Sequence, residues 1–275
     1  MSQPSPEQTS PSWDPRQYAR FADHRNRPFV DLTARVQAPD PALVVDLGCG
    51  NGPLTLSLAD RWPGARVVGV DSAGSMLEAA RGLDRDGRVE WVEADVRSWD
   101  PASLGAAPDV VVTNATLQWV PGHLDLLGRW VEALAPSGWL AMQVPGNFGA
   151  PSHRLMREVA ARQPRGPELT AVLKRADAVA EPTTYLQVLL ATGAQADVWE
   201  TTYYQLLDPA GEQEDPVLEW VRGTGLRPVL DLLDDAETER FLADYRPALQ
   251  AAYPRTAAGV VFPFRRLFAV AQKEA

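Results

Sequence analysis

Short apolar runs alternate with amphipathic stretches along the first half of the chain. Runs of valine and leucine, which are typical of strands, lie at 43–47, 65–70, 89–93, 109–113 and 138–143. Stretches with helical spacing separate them, at 52–61, 73–81 and 120–134. Strands made of continuous apolar runs are buried on both faces, and helices between strands favour parallel pairing. The pattern therefore predicts an α/β fold with a doubly wound, mostly parallel sheet.

Helices predominate from residue 151 onward, and two strands return among them. We predict helices at 152–162, 182–190, 214–222 and 236–252, and strands at 195–206 and 260–271, with a break in the last strand near Pro263. These two late strands are expected to complete the edge of the sheet. Near the start of the chain, residues 15–36 have broadly helical spacing, and Pro28 is expected to divide them into two helices.

The pattern predicts one folded domain over 13–275. Residues 1–12 are rich in proline and serine and are expected to form a disordered tail. Within the domain we expect N-terminal helices at 13–37 that act as a lid, a cofactor-binding core at 38–150 and a substrate half at 151–275. An inserted helical cap is expected between the two late strands, at 207–258, because such insertions commonly carry specificity.

Charge and composition exclude several classes of partner. The net charge of −10, with no run of lysine and arginine, argues against nucleic acid. No apolar run approaches the roughly 20 residues of a membrane helix, and the first residues lack a secretory pattern, so we expect a cytoplasmic protein with no membrane partner. Cys49 is the only cysteine, which excludes an internal disulfide bond, and His24, His123 and His153 show no metal-ligand spacing. We therefore expect no bound metal.

A glycine-rich turn follows the first strand of the predicted sheet, at 44–52. Gly48, Gly50 and Gly52 permit backbone angles that a side chain would forbid, and they let a ligand lie against the main chain. Asp46, at the start of the turn, is placed to hold an amino group of that ligand. A nicotinamide-binding fold would offer similar glycines, so the turn by itself predicts a nucleoside-containing cofactor and no particular one.

Residues after the next strands could bind the rest of a nucleoside. Asp71 ends the second strand, 21 positions after Gly50, and an acid there can accept both ribose hydroxyls; a helix N-cap is the other interpretation. Asp95 follows the third strand and can accept from an adenine amino group while Val96 covers the ring, although a solvated turn acid is also consistent with its position. The fourth strand delivers Asn114 to the carboxyl edge of the sheet, where ligands bind.

The order and spacing of these features over residues 43–144 resemble the seven-stranded S-adenosylmethionine-dependent methyltransferases. The resemblance implies a seven-stranded sheet whose last strand, at 260–271, is antiparallel, with S-adenosylmethionine as the cofactor and methyl donor. Cys49 departs from the family pattern, and we interpret it as a small buried side chain. Asn114 and Trp119 are expected near the methyl group. The residues implied for the cofactor are Asp46, Gly48, Gly50, Asn51, Asp71, Ser72, Met76, Asp95, Val96, Asn114 and Gln118.

The N-terminal segment, the end of the fourth strand and the second half of the chain carry further distinctive stretches, at 13–18 with Phe21 and 26–28, 114–119, 201–204, 220–228 and 262–268. Together these stretches are similar to bacterial trans-aconitate methyltransferases. The similarity covers nearly all of the chain after residue 12. It implies an O-methyltransferase that forms the monomethyl ester of trans-aconitate or of a closely related small polycarboxylate.

Carboxylate chemistry determines what such a site must contain. A carboxylate has a reference pKa of about 4, so at neutral pH it is already the nucleophile and no general base is needed. We accordingly expect no catalytic residue, only groups that position the acid and exclude water. A polycarboxylate in an acidic protein needs local cations, and the planar guanidinium of arginine binds a carboxylate through two hydrogen bonds. The candidate arginines are Arg25, Arg27, Arg222, Arg227, Arg265 and Arg266.

We expect arginines to hold the two non-reacting carboxylates and tyrosines to orient the third. Adjacent residues of an extended segment point to opposite faces, so only one of Arg265 and Arg266, and one of Tyr203 and Tyr204, can face the site. The predicted acceptor-binding residues, with the two tryptophans as dry walls, are Tyr18, Arg27, Trp119, Tyr203, Tyr204, Trp220, Arg227 and Arg265.

Three other functions stay open from the sequence. The chain could methylate another carboxylate, an acyl thioester or a different biosynthetic small molecule. It could also be a nicotinamide-dependent dehydrogenase, or a protein that binds S-adenosylmethionine without catalysis. The partner we expect is a small molecule, and the expected oligomeric state is a monomer.

Overall fold

A computed structural model describes residues 22–173 and 178–275. The chain divides into two compact units. The core unit comprises Ala22–Phe148, Arg175–Gln205 and Pro263–Ala275, and the helical unit comprises Gly149–Lys174 and Leu206–Phe262. The predicted disordered tail at 1–12 and the candidate residue Tyr18 lie outside the described residues.

One mixed sheet contains all strands of the part of the chain that the structure describes. Its strands are β1 Leu43–Leu47, β2 Arg66–Asp71, β3 Val89–Glu93, β4 Val110–Asn114, β5 Trp139–Pro145, β6 Gln195–Leu207, β7 Arg255–Thr256 and β8 Gly259–Gln272. The strand order is β3-β2-β1-β4-β5-β8-β6, and the two-residue β7 pairs with β8 off this path. Strands β1 to β5 pair in parallel, whereas β8 is antiparallel to β5. The predicted doubly wound, mostly parallel seven-stranded sheet with an antiparallel last strand is confirmed.

Helices connect these strands and make up most of the helical unit. They are α1 Ala22–Thr33, α2 Pro53–Arg61, α3 Gly74–Leu83, α4 His123–Ala133, α5 Pro151–Arg162, α6 Gly166–Val172, α7 Pro182–Leu190, α8 Pro216–Arg222, α9 Arg227–Leu230 and α10 Asp235–Ala252. Short 3-10 turns lie at Pro101–Leu104 and Leu117–Trp119. The short helices α6 and α9 were not predicted, because neither is long enough to show a clear period. Within the described ranges, no helix combines the length and apolar composition that crossing a membrane requires.

The central strands are buried on both faces, as their apolar runs predict. Side chains alternate along a strand, so Val44 packs into one apolar layer and Val45 into the other. Helix α1 covers the first of these layers with Phe29 and Leu32. The carboxyl ends of β1 and β4 therefore emerge between two packed layers, which holds the turns that follow them in place.

Two proline residues do not interrupt elements as expected. Pro28 lies inside α1, which runs unbroken from Ala22 to Thr33. An interior proline costs about 3 kcal/mol, but burial of Phe29 and Leu32 contributes about 1.5–3 kcal/mol for each side chain, which offsets that cost. Pro263 lies inside β8, beyond Arg266 where pairing with β5 ends, so its missing N–H removes no hydrogen bond to β5.

The helical unit has its own polar contacts, of which those of Ser152 are buried. Helix α10 begins with a capping box between Asp234 and Glu237. Its Tyr245 hydroxyl donates to the backbone oxygen of Ser152 at 2.8 Å, and the Ser152 N–H donates to the Tyr253 hydroxyl at 3.0 Å. These bonds attach the start of α5 to α10.

Candidate active site

The glycine turn adopts the left-handed backbone that its sequence predicts. Gly48, Gly50 and Gly52 have φ of 79°, 56° and 91°. A Cβ on Gly48 would lie 2.1 Å from Thr116 Oγ1, and one on Gly52 would lie 2.7 Å from the Trp91 ring. A Cβ on Gly50, by contrast, would meet no other part of the described chain within 4 Å. Two glycines are thus needed for packing, and the third leaves the main chain open to a ligand.

Asp71 links the glycine turn to the end of β2. Its Oδ2 accepts from Gly50 N–H at 2.9 Å, and its Oδ1 accepts from Ala73 N–H at 2.9 Å. The N-cap residue of α3 is Ala73, so Asp71 is not the helix cap that the alternative interpretation required. Each carboxylate oxygen can accept a second hydrogen bond, which leaves acceptors for ribose hydroxyls. Ser72 beside it is exposed, and Met76 is buried in α3.

Asp46 is a buried acid with one unused oxygen. Its Oδ2 accepts from the Thr55 hydroxyl at 2.6 Å, whereas Oδ1 has no hydrogen-bond partner among the described residues. Burial raises the pKa of Asp46 to about 7, against the opposing effect of the Thr55 hydrogen bond and with a further increase from the Asp71 charge. An orphan carboxylate oxygen beside an open glycine turn fits a cationic ligand.

Binding of a cationic cofactor should therefore depend on pH near neutrality. Only the ionised form of Asp46 attracts a cation, so affinity for S-adenosylmethionine should be about tenfold higher at pH 8 than at pH 6. Calorimetric titration at both pH values measures this, and the Asp46→Asn variant should lose the difference. An equal pH dependence in wild type and variant would contradict the assignment. The stability of the cofactor-free protein should change with pH in the opposite direction to cofactor affinity. Because the folded state holds the Asp46 proton more tightly than the unfolded state does, the contribution of Asp46 to the free energy of unfolding should fall as pH rises from about 4 to about 7.

Asp95 and Val96 follow β3. Asp95 accepts from Arg97 Nε at 2.8 Å and from Arg97 N–H at 2.8 Å, and the Arg97 hydrogen bond lowers the pKa of Asp95. An adenine amino group would share this carboxylate with a guanidinium. Val96 is buried in the same apolar layer as Trp99, so its side chain packs the core, and its cover of the adenine ring stays a prediction.

The end of β4 lies against the glycine turn. Asn114 is opposite Gln143 in the β4–β5 pair, and its Oδ1 is buried with no partner in the described part of the chain. Ala115 has a φ of 55°, which is strained for a residue with a Cβ and is a feature of functional sites. Gln118 is buried and donates to Ala115 O at 2.5 Å, while Trp119 is half-buried. The predicted cofactor residues after β1, β2 and β4 thus meet at one edge of the sheet.

Tyr203 faces inward and Tyr204 outward, as their alternation on β6 requires. Tyr204 is 74% exposed, whereas the buried Tyr203 donates its hydroxyl to Asp31 Oδ2 at 2.7 Å. The Arg27 guanidinium lies 5.1 Å from the Tyr203 ring centroid. Burial and the Asp31 carboxylate raise the pKa of Tyr203. The contacts of Tyr203 and Arg27 therefore attach α1 to the sheet. Tyr204, which was predicted to bind the acceptor, faces solvent instead.

The two adjacent arginines of β8 differ in their surroundings. Arg265 is bound by two carboxylates, with Nη2 at 2.5 Å from Glu200 Oε2 and 3.2 Å from Glu181 Oε2. Arg266 is 5% exposed, lies 4.5 Å from the Phe264 ring centroid and donates to Gln143 Oε1 at 3.2 Å. The Arg265 guanidinium is neutralised by carboxylates near the surface, whereas Arg266 is directed into the protein. This geometry favours Arg266 as the inward-facing arginine of the pair, and binding of the acceptor by Arg265 stays a prediction.

Three candidates belong to the helical unit. Trp220 is buried with its ring centroid 5.7 Å from that of Phe262, so it packs in this unit's core, and its role as a site wall stays a prediction. Arg227 pairs with Asp231 at 2.9 Å, and Arg222 pairs with Glu219 at 3.1 Å. Arg25, the remaining candidate, has a side chain outside the described residues.

Sequence reasoning missed Thr116, Gln143 and Asn147. Thr116 packs directly against Gly48. Gln143 and Asn147 are buried amides at the end of β5. A glutamine within the apolar run of β5 was the available signal, since a buried polar residue needs a reason.

The sheet order, the left-handed glycine turn and the acid that ends β2 define a nucleoside-binding α/β enzyme of the methyltransferase class. Residues 44–138 match the family model described as "Methyltransferase domain". The chain is 55% identical over 271 residues to trans-aconitate 2-methyltransferase of Streptomyces avermitilis, covering 96% of this chain and 98% of that protein. It is 50% identical to the enzyme of that name in Rhodococcus jostii, covering 94% and 99%. The chain belongs to the trans-aconitate 2-methyltransferase family.

A solved structure shares the fold at low identity. Phosphoethanolamine N-methyltransferase 2 of Haemonchus contortus, in complex with S-adenosyl-L-methionine, superposes with a TM-score of 0.51 at 17% identity, covering 90% of this chain and 53% of that one. The methyl donor of this family of enzymes is S-adenosylmethionine. The open main chain at Gly50, the orphan oxygen of Asp46 and the ribose acceptors of Asp71 fit that cofactor.

Proposed function

We propose that this protein methylates one carboxylate of trans-aconitate to give a monomethyl ester. The observation that carries the proposal is the 55% identity over nearly the whole length of both chains to a trans-aconitate 2-methyltransferase. The identity extends beyond the cofactor turn, into the segments after residue 150 where the sequence resemblance to this family is most specific. The net charge of −10 disfavours nucleic acid as the acceptor, and it requires that local arginines bind a polycarboxylate.

S-adenosylmethionine, when bound, supplies an electrophilic methyl group. Gly50, Asp46 and Asp71 would hold it, with Asn51, Ser72, Met76 and Gln118 as further predicted contacts. The acceptor carboxylate is ionised at neutral pH, so the chain has no proton to remove. The work of the protein is to bind, to orient and to exclude water.

The two histidines with described side chains fit this division of work. Both ring nitrogens of His123 are engaged, with Tyr185 Oη at 2.8 Å and Val120 O at 3.1 Å. Burial lowers the pKa of His153 to about 4, and its Nδ1 lies 3.2 Å from Ser152 Oγ. Neither is poised as a general base, which supports a reaction that needs none.

The roles of the remaining site residues are also proposals. We propose that arginines hold the two non-reacting carboxylates and that Trp119 and Asn114 lie near the methyl group. The lid role of the N-terminal helices, the cap at 207–258, a monomeric state and a cytoplasmic location stay predictions.

A labelled-donor assay tests the proposed function. The protein is incubated with methyl-labelled S-adenosylmethionine and a panel of trans-aconitate, other tri- and dicarboxylates and an acyl thioester. Label should enter trans-aconitate, and mild base should release it, because an ester is base-labile whereas an N- or C-methyl product is not. Transfer to no acid, under conditions where S-adenosylhomocysteine binds, would refute the proposal. Thermal stabilisation by NAD and not by S-adenosylhomocysteine would indicate the dehydrogenase alternative.

A further inference from the structure

Three polar residues lie on one face of the sheet where apolar residues surround them. Asn114 is in register with Gln143 on the parallel pair β4–β5, and Gln143 is opposite Phe268 on the antiparallel pair β5–β8. Arg266 is two residues from Phe268, so its side chain is on the same face. Phe268 itself belongs to the apolar layer that α1 covers. We call Asn114, Gln143 and Arg266 the polar row.

Buried amide N–H groups in and near the polar row have no hydrogen-bond acceptor among the described residues. Gln143 is 0% exposed; its Oε1 accepts from Arg266 Nη1, which leaves Nε2 buried with no acceptor among the described residues. Asn147, two residues beyond the residue opposite Arg266, is also buried, and its Nδ2 likewise has no acceptor in the ranges described. Buried amide donors are normally paired, and leaving one unpaired is costly. An unpaired donor on the same amide that binds a buried guanidinium, with a second unpaired donor four residues along the chain, indicates a ligand that brings acceptor oxygens.

The chemistry of these groups identifies the ligand as a carboxylate. The guanidinium supplies positive charge and a planar set of N–H donors, and its central carbon lies over the Phe264 ring, 4.5 Å from the centroid. An amide Nε2 beside it adds one more donor in the same region. Because Gln143 Oε1 already accepts from Arg266, Gln143 both orients the guanidinium and contributes its own N–H.

We propose that Gln143 and Arg266 bind one non-reacting carboxylate of the acceptor, and that Gln143 is the residue that positions Arg266 for it. The proposal rests on the proposed function. The carboxylate of the methionine part of the cofactor has the same chemistry, but of the polar row only Asn114 lies next to the cofactor turn, and Gln143 and Arg266 lie on strands farther from it. Two strand spacings separate β1 from β5, about 10 Å, and the adenosine-binding candidates lie on the far side of β1. The acceptor is therefore the source to which we commit.

The Gln143→Glu variant tests this role. Glutamate keeps an oxygen that can accept from Arg266, so the fold and the melting temperature should be preserved. It replaces the donor Nε2 by a second negative oxygen that repels a carboxylate. We expect KM for trans-aconitate to rise at least thirtyfold while the dissociation constant of S-adenosylhomocysteine changes less than twofold. Gln187→Glu adds the same charge at an exposed position of α7 and should change neither quantity.

Each outcome of this experiment decides a separate point. An unchanged KM for the acid in a folded Gln143→Glu protein would overturn the proposal. Weaker S-adenosylhomocysteine binding with an unchanged KM for the acid would assign the polar row to the cofactor carboxylate and would overturn it as well. If the wild-type protein esterified no acid, the proposed function would be refuted, and the carboxylate site would be tested separately by binding. Calorimetric binding of a tricarboxylate to the wild-type complex with S-adenosylhomocysteine, lost in Gln143→Glu, would then still support the carboxylate site, and equal binding would refute it.

Discussion

Replacing Gly48 by valine should unfold the cofactor turn and abolish binding of S-adenosylmethionine. The residue has a φ of 79°, where a side chain costs about 1–2 kcal/mol. Its Cβ would also overlap Thr116 Oγ1 at 2.1 Å, and overpacking of this kind costs about 1–3 kcal/mol. We expect the free energy of unfolding to fall by about 3 kcal/mol, and cofactor affinity to fall below detection because the turn can no longer pack against the end of β4.

Chemical denaturation and calorimetry with S-adenosylhomocysteine measure both effects. Gly87→Val is the matched control: it also has a positive φ, of 62°, and nothing within 4 Å of its Cβ, but it lies in the turn between α3 and β3. It should lose only the conformational part of the stability and keep full affinity. Adding Thr116→Gly to Gly48→Ala removes the overlapping atoms and should recover stability relative to Gly48→Ala alone. Equal losses in the Gly48 and Gly87 variants would show that the contact with Thr116 is unimportant.

Replacing Arg266 by glutamine should lower kcat/KM for trans-aconitate by about 10²–10³-fold. Removing one partner of a buried charge pair costs about 2–5 kcal/mol, and each 1.4 kcal/mol is a factor of ten. Arg265→Gln, one residue away, should change kcat/KM less than about threefold, because Arg265 is occupied by Glu200 and Glu181 at a partly exposed position where such pairs contribute little.

Steady-state kinetics with both variants, at saturating S-adenosylmethionine, separate the two arginines. The Arg266 effect should shrink for a dicarboxylate that lacks the carboxylate it binds, and S-adenosylhomocysteine affinity should stay unchanged. A larger loss in Arg265→Gln than in Arg266→Gln would restore the role that the sequence pattern first suggested for Arg265. Melting temperatures of both variants show whether either change acts through the fold.

The cofactor half of the site was largely predictable from the sequence. Gly48, Gly50 and Asp71 follow strands that their apolar runs identify, and parallel strands bring their carboxyl ends to one edge. The pattern could not show how Asp71 is used: it accepts from the Gly50 and Ala73 N–H groups and is not a helix cap. Hydrogen bonds of that kind depend on the backbone path of a turn, which a residue pattern does not specify.

The acceptor half was predictable only as a set of residue types. Alternation on β8 requires Arg265 and Arg266 to face opposite ways, but it does not say which one faces inward. Gln143 and Arg266 are 123 positions apart, and their hydrogen bond exists because β8 inserts between β5 and β6. Pro28 and Pro263 likewise could not be interpreted from local sequence. Packing of α1 on the sheet keeps the helix intact around Pro28, and Pro263 lies outside the part of β8 that pairs with β5.

By itself the sequence determined the α/β class, nearly every strand, the glycine turn and the family. The spacing of apolar residues, the placement of glycines and the order of motifs are local properties that the order of residues shows directly. Only the tertiary structure decided which arginine is buried, which tyrosine faces the sheet and which amides are left without a partner. Burial and hydrogen bonding depend on neighbours from distant segments. The register of paired strands, and no local signal, sets which of these neighbours meet.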